Sequence, residues 1–307
     1  MDIKFRPLGK TGLLVSEIGF GALEIGRDWA ADVNKNPSHL TEQEASNVLN
    51  GLLDLGVNFI DTAPAYWYSE EYIGKAISHR RKEFVLATKV GEHCDEKGSI
   101  YDYSGSATKH FIDTSLQRLR TDYIDLIQIH SASIEVLERG ETLSAMSEAR
   151  QAGKVLHIGM TEGVKECIRG LEIGGYETVQ FPYNLLNIEA EEKLLPLIRE
   201  KRAGSIIMRG LAGGKLSEKY KYLQNEKLRN AIEGFLQFVG TENDKTENLA
   251  SLALGYLFAR SEVSSVIVGT RRLEAVKRNI QSVKKCLSPD LLNDVQFYAR
   301  SLDAKIW

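Results

Sequence analysis

Four residues of this 307-residue chain have the types and positions to move a proton onto an oxygen: Asp61, Tyr66, Lys89 and His130. The stretch Val57–Glu70, VNFIDTAPAYWYSE, carries Asp61 at the end of an apolar, β-branched run, with Tyr66 in the loop that follows. Lys89 lies in VLATKV and His130 closes LIQIH. A carboxylate at the tip of a buried strand needs a partner, and the next two strand ends offer these two. A phenol with a pKa of about 10 is a poor proton donor or acceptor near neutrality. An ammonium within a few Å favours the phenolate and lowers that pKa. Asp61 would keep such a lysine charged and oriented, and His130 would give a carbonyl oxygen a second hydrogen bond. Together the four would protonate an oxygen as negative charge builds on it. Singly, each has an ordinary structural use, and Tyr66 between Trp67 and Tyr68 could be plain aromatic packing. Four at successive strand tips share no such use.

The elements that must position them alternate regularly. Residues 3–18 read as two short strands around Gly9-Lys10-Thr11-Gly12, a hairpin set before the main fold. Ile18-Gly19-Phe20-Gly21 is a first buried strand, and residues 24–40 form a long polar loop. Thr41 with Glu44 makes a capping box for a helix whose apolar positions are Ala45, Val48, Leu49, Leu52 and Leu53. Strands are then expected at residues 57–61, 84–90, 125–130, 155–160, 178–181, 205–208 and 265–268. Helices are expected between them, near 70–79, at 112–119, 141–152, 164–173, 189–201, 248–259 and 272–284. Eight apolar, non-alternating strands separated by helices predict a closed (β/α)8 TIM barrel. A doubly wound sheet lacks support, since no GxGxxG follows the first strand. Ser288 and Pro289 open an extra C-terminal helix with Leu291, Leu292 and Val295 facing inward. A single domain over residues 1–307 is expected.

Composition narrows the function classes. A 43% hydrophobic, 26% charged chain has enough apolar content for a large core. A net charge of −3 gives no basic footprint for nucleic acid, and no apolar run reaches membrane-spanning length. Cys94, Cys167 and Cys286 form no CxxC, so a reducing compartment fits and neither a disulfide framework nor a metal site is expected. The polar start MDIKFRPLGKTG does not resemble a signal peptide. A cytoplasmic protein acting on small molecules is the expectation, with its oligomeric state open.

Over nearly its whole length the chain resembles the aldo-keto reductases. The matching segments are LGKTGLLVSEIGFGA, GVNFIDTAPAYWYSEEYIG, VLATKV, DYIDLIQIH, GKVLHIGM, QFPYNLLN and VIVGTRRLEAVKRN. The resemblance implies an enzyme that interconverts a carbonyl and an alcohol with a nicotinamide cofactor. It makes Asp61, Tyr66, Lys89 and His130 the catalytic tetrad, with Tyr66 as general acid/base. Thr161, Glu162 and Gln180 would then hold the carboxamide, and Gly21, Asp61 and Met208 would lie about the nicotinamide. Arg209, Gly210, Leu211, Gly214 and Lys215 would wrap the pyrophosphate. Gly269, Thr270, Arg271 and Asn279 would seat the adenosine end, the arginines favouring NADPH/NADP+ over NADH. Glycines that let backbone amides approach a phosphate, and a helix start carrying arginines, fit that placement. Three positions depart from the family pattern: Thr161-Glu162 replaces the usual Ser-Asn, Gly210 a proline, and Ala275 a polar residue. An NAD-dependent sugar or alcohol dehydrogenase and a cofactor-binding regulatory subunit are the alternatives. Trp67, Tyr68 and the segments 92–106, 131–140 and 213–243 would shape the substrate pocket.

Overall fold

Eight apolar runs become the staves of one barrel. They are β1 (Ile18–Gly21), β2 (Phe59–Asp61), β3 (Val85–Val90), β4 (Ile124–His130), β5 (Val155–Thr161), β6 (Thr178–Pro182), β7 (Gly204–Met208) and β8 (Ser265–Val268). Each lies parallel to the next, and β8 pairs with β1 to close the ring. The computed structural model describes residues 3–27, 40–95, 98–240, 248–283, 286–303 and 306. Most of the expected loop 24–40 therefore lies outside the described residues, as do 241–243 of the expected pocket segment and the end of the helix expected to reach 284.

The outer layer is α1 (Glu42–Asp54), α2 (Ser69–Ile77), α3 (Gly105–Leu119), α4 (Glu141–Gln151), α5 (Val164–Ile173), α6 (Leu194–Lys201), α7 (Leu249–Phe258) and α8 (Leu273–Ser282). The start of α1 is the expected capping box: Thr41 Oγ1 accepts from Glu44 N and Glu44 Oε2 accepts from Thr41 N. Its buried face is Ala45, Val48, Leu49, Leu52 and Leu53. Gly56, at φ +87°, then turns the chain toward β2. The helix expected over 189–201 is shorter, because Pro196 has no N–H and is tolerated only in a first turn. A 3-10 turn, Glu189–Glu191, precedes α6 instead.

Strand parity sets what the barrel encloses. Side chains two apart share a face, so each inward row runs from apolar to polar toward the strand tips. Phe59 leads to Asp61, Val85 and Ala87 to Lys89, and Leu126 to Gln128 and His130. Phe59, Val85, Ala87, Leu126 and Ile206 form a separate inner cluster with Leu8 and Val15. Those last two come from the hairpin Phe5–Pro7/Leu14–Ser16, which supplies apolar packing to the floor. The tips, by contrast, are polar.

Two additions to the barrel matter. After β3 the expected loop folds as an antiparallel hairpin, Glu92–Asp95 with Gly98–Tyr101, which no alternation in the sequence announces. At the C-terminus, α9 (Pro289–Ser301) starts at the Ser288 cap and buries Leu291, Val295 and Ala299. Gln296 of α9 reaches buried Glu191, which also accepts from Tyr183 and Tyr256 hydroxyls at 2.6 Å and from Arg260 at 3.0 Å. One carboxylate thus joins α9, α7 and the segment after β6.

Packing is close where α2 meets α3: a Cβ on Gly74 would lie 2.1 Å from the Arg118 carbonyl oxygen. Gly74→Ala is expected to destabilise the protein by about 1–3 kcal/mol through backbone displacement. Urea unfolding checks this as a lower midpoint at unchanged slope.

Candidate active site

The polar end of the barrel is built around Asp61. Its carboxylate receives Lys89 Nζ at 2.8 and 2.7 Å and Gln128 Nε2 at 3.0 Å. Gln180 Nε2 stands farther off, at 3.4 Å. The third contact of the ammonium goes to the Thr62 carbonyl at 2.8 Å. Lys89 has no solvent exposure and Asp61 has 1%. A buried ion pair holds only when its remaining lone pairs and protons are satisfied, and here they are. Burial works against the charge on Lys89, but Asp61 and then Tyr66 outweigh it, so the ammonium's pKa is raised.

Tyr66 ends a short 3-10 turn, Pro64–Tyr66, that leaves β2. Its ring sits edge-on to His130, with centroids 6.1 Å apart, and Lys89 Nζ is 5.0 Å from the ring centre. The sequence leads one to expect that Lys89 lowers the phenol pKa; the lysine does act in that direction, but burial sets the net shift. Burial raises the pKa most; Lys89 pulls it down, Asp61 pushes it back up, and the net direction is upward. With burial as the largest influence and Asp61 working against Lys89, Tyr66 is a neutral phenol near pH 7.

His130, at the tip of β4, is nearly buried. Its Nδ1 lies 3.0 Å from Glu92 Oε2, an ion-pair distance, although the contact is off the line of a good N–H···O bond. Burial lowers the His130 pKa, Glu92 opposes this, and the net direction is downward. Tyr103 braces the same tip, its hydroxyl donating toward the His130 and Ser131 carbonyls at 2.8 and 2.7 Å.

Gln128, Glu92 and the Thr62 carbonyl were not among the residues singled out from the sequence. Gln128 was readable, since it lies two before His130 and so shares its inward face. Glu92 gave no signal, because it depends on how the hairpin folds back.

The other residues with expected roles divide into two groups. Thr161 and Gln180 are register partners at the mouth on β5 and β6, and Pro182 on β6 pairs with Met208 on β7. Glu162, half-buried, accepts from Gly163 N at 3.2 Å, and burial raises its pKa. Gln180 Oε1 is buried and has no hydrogen-bond partner among the described residues. The second group follows β7 and β8. In the run 209–215, Arg209, Ala212, Gly213 and Gly214 all have positive φ, between 49 and 85°, and Asn184 Nδ2 holds the Arg209 carbonyl at 3.1 Å. Among the described residues a Cβ at Gly213 would meet Lys215 Nζ alone, at 4.0 Å, so that backbone is open to approach. Gly210 differs: a Cβ there would meet Val266 at 2.6 Å, so its glycine serves packing. Leu211 and Lys215 are half-buried in the same run. Gly269 leads out of β8, Thr270 Oγ1 accepts from Arg272 N, and Arg271 Nε reaches the Glu24 carbonyl at 3.1 Å. Gly21 pairs with Asp61 at the mouth, whereas Asn279 lies in the outer layer, toward the end of α8.

Of the residues expected to line the pocket, Trp67 lies under Arg27, whose guanidinium carbon is 5.7 Å from its ring centre. Tyr68 stacks on Tyr72, with centroids 5.9 Å apart. Tyr101 stacks on Tyr103 on the hairpin side. The segment 131–140 folds as the short helix Ile134–Arg139, and 213–240 holds the helix Glu226–Gly234.

Lys89→Met would leave Asp61 as an uncompensated buried charge. An expected loss of about 3–5 kcal/mol is checked by denaturant unfolding, with the double variant Asp61→Asn/Lys89→Met losing less than the two singles summed.

Residues 17–297 match the model of the aldo/keto reductase family. The uncharacterized oxidoreductase YqkF of Bacillus subtilis is 32% identical over 299 residues, covering 90% of each chain. The L-galactose dehydrogenase of Arabidopsis thaliana is 30% identical, over 92% of this chain and 88% of that one. The NADH-specific methylglyoxal reductase of Escherichia coli is 28% identical, over 93% and 95%. Among solved structures, the holo form of the aldo-keto reductase AKR11C1 from Bacillus halodurans superposes with a TM-score of 0.85 at 29% identity, over 100% and 98% of the two chains. With its closed parallel barrel, this chain is an NAD(P)H-dependent oxidoreductase that belongs to the aldo/keto reductase family.

Proposed function

We propose that this enzyme interconverts a carbonyl compound (aldehyde, ketone or sugar) and its alcohol, with NADPH as preferred cofactor and Tyr66 as general acid/base. The support is the convergence on one barrel mouth of a neutral phenol, an edge-on imidazole and a fully buried Lys89–Asp61 pair. The nicotinamide, when bound, supplies or accepts the hydride. Tyr66 gives its phenolic proton to the carbonyl oxygen as charge develops there, and takes it back from the alcohol in reverse. Lys89 stabilises the phenolate left behind, Asp61 fixes the ammonium beneath it, and His130 orients the oxygen. Gln128 acts one step back, on Asp61.

The chain's own groups fit a nicotinamide. Among the described residues Gln180 Oε1 is an unmatched buried acceptor, suited to a carboxamide N–H, with Thr161, Glu162 and Met208 as neighbours at the mouth. The run 209–215, left-handed at Arg209, Ala212, Gly213 and Gly214 and ending in Lys215, presents backbone suited to a pyrophosphate, and Gly269, Thr270 and Arg271 present cationic, helix-initial groups suited to an adenosine phosphate. NAD is the second reading. Its support is the E. coli relative named as NADH-specific and the engagement of Arg271 Nε with the Glu24 carbonyl. We further read residues 1–307 as one domain, and the protein as cytoplasmic, in keeping with three cysteines that form no CxxC.

Tyr66→Phe is expected to lower kcat about 10²–10⁴-fold while NADPH still binds. Loss of NADPH absorbance against a panel of aldehydes, ketones and sugars measures this, and unaltered turnover would sink the assignment. Side-by-side titrations should show tighter binding of NADPH than NADH; the reverse order selects the second reading. Glu162→Asn, which restores an amide donor and removes a half-buried carboxylate, is expected to tighten cofactor binding in the same titration. Weaker or equal binding would count against a role at the nicotinamide end.

A further inference from the structure

Glu92 is a buried carboxylate with no part in the scheme above. It stands just beyond β3, at the start of the hairpin, and is 7% exposed. Its Oε1 accepts from Ser99 Oγ at 2.7 Å. Its Oε2 accepts from Ser131 Oγ at 3.0 Å and lies 3.0 Å from His130 Nδ1. Burial pushes the Glu92 carboxyl up, but His130, Ser99 and Ser131 outweigh it and bring it down to about 2. Near neutral pH it is an anion held against one nitrogen of His130.

That contact decides where the imidazole keeps its proton. Although the contact is off the line of a good N–H···O bond, an anion 3.0 Å from Nδ1 repels a bare lone pair there more than at distant Nε2, so the favoured neutral tautomer has Nδ1 protonated. The other nitrogen, Nε2, then carries a proton only when the ring is a cation. We infer that Glu92 is a positioning residue: it fixes His130 so that Nε2 donates to a carbonyl oxygen as imidazolium and accepts from a hydroxyl as neutral imidazole. This rests on the proposal that His130 faces the reacting oxygen. Reduction is thereby favoured below the His130 midpoint and oxidation above it.

The charged and titratable groups around the ring come from every neighbouring element. Burial lowers the His130 pKa, and Lys89 of β3 adds to this, while Glu92 and Asp61 of β2 oppose it. Tyr66 contributes a neutral edge, and Tyr103 binds the backbone carbonyl of His130. Glu162, after β5, is close enough to Glu92 for their charges to repel. Among the described residues Glu92 is the carboxylate at ion-pair distance from the imidazole, so removing its charge leaves the lowering influences less opposed.

The test is a long-range ¹H–¹⁵N titration of the histidines in wild type and Glu92→Gln, with His130 identified by the signals missing from His130→Gln. In wild type the neutral ring is expected to carry its proton on Nδ1. In Glu92→Gln the midpoint should fall by about one pH unit or more. The alkaline limit of reductive kcat/KM should fall with it, at unchanged cofactor affinity. Glu92→Asp, which keeps the charge at greater distance, should give a midpoint between the two. A neutral wild-type ring protonated on Nε2 overturns the inference whether or not the Glu92 variants fold. So does a midpoint unmoved by Glu92→Gln, even if activity drops uniformly with pH, as a merely structural role would produce. The titration needs no turnover. A shifted midpoint in a protein that reduces no carbonyl would uphold the Glu92–His130 pairing and defeat the carbonyl-reductase proposal instead.

Discussion

The polar end of the barrel depends on one solvent-free ion pair. Lys89 and Asp61 are both withdrawn from water, and separating either from the other would leave a charge in a medium that cannot solvate it. The surroundings are therefore arranged around the pair. Gln128 caps one carboxylate oxygen, the Thr62 carbonyl takes the remaining side of the ammonium, and Tyr66 lies above it. Because burial favours the neutral phenol and Asp61 works against Lys89 there, the site keeps a protonated tyrosine in place and a cation close enough to stabilise its conjugate base. Proton readiness here comes from a balance of two fields and burial, not from one dominant neighbour.

That pair is affordable because of what lies beneath it. Leu8 and Val15 of the N-terminal hairpin join Phe59, Val85, Ala87, Leu126 and Ile206 in an apolar floor. Parity along β2, β3 and β4 then delivers Asp61, Lys89 and His130 one or two positions above that floor. A one-residue slip in any of these strands would exchange its inward and outward rows and remove its member from the site. Register and chemistry are thus fixed by the same hydrogen bonds.

Much of this was legible in the sequence, for definite reasons. Doubly buried strands are plain apolar runs, so the ends carrying Asp61, Lys89 and His130 were readable, as was the Thr41/Glu44 start of α1. Pro196 could have placed the beginning of α6, and parity could have found Gln128. Other features exist only in three dimensions. The direction of the Tyr66 pKa depends on burial and on Asp61 offsetting Lys89. The contact of Glu92 with His130 requires a hairpin, short and without clear alternation, to turn back across the tip of β4. Gly210 reads as part of a flexible glycine-rich run, yet its bareness is demanded by Val266 behind it.

The hairpin after β3 is fastened to the barrel by its chemistry as well as its backbone. Ser99 on its second strand steadies Glu92 on its first, and Tyr103 just beyond it grips the carbonyls at the tip of β4. The same excursion presents Ile100 and Tyr101 outward as exposed apolar surface. An exchange of this segment for one of another length would alter the outer wall and the electrostatic neighbour of the imidazole in a single event. Ligand range and acid strength are therefore inherited as one module, and neither can drift far along a lineage without drawing the other after it.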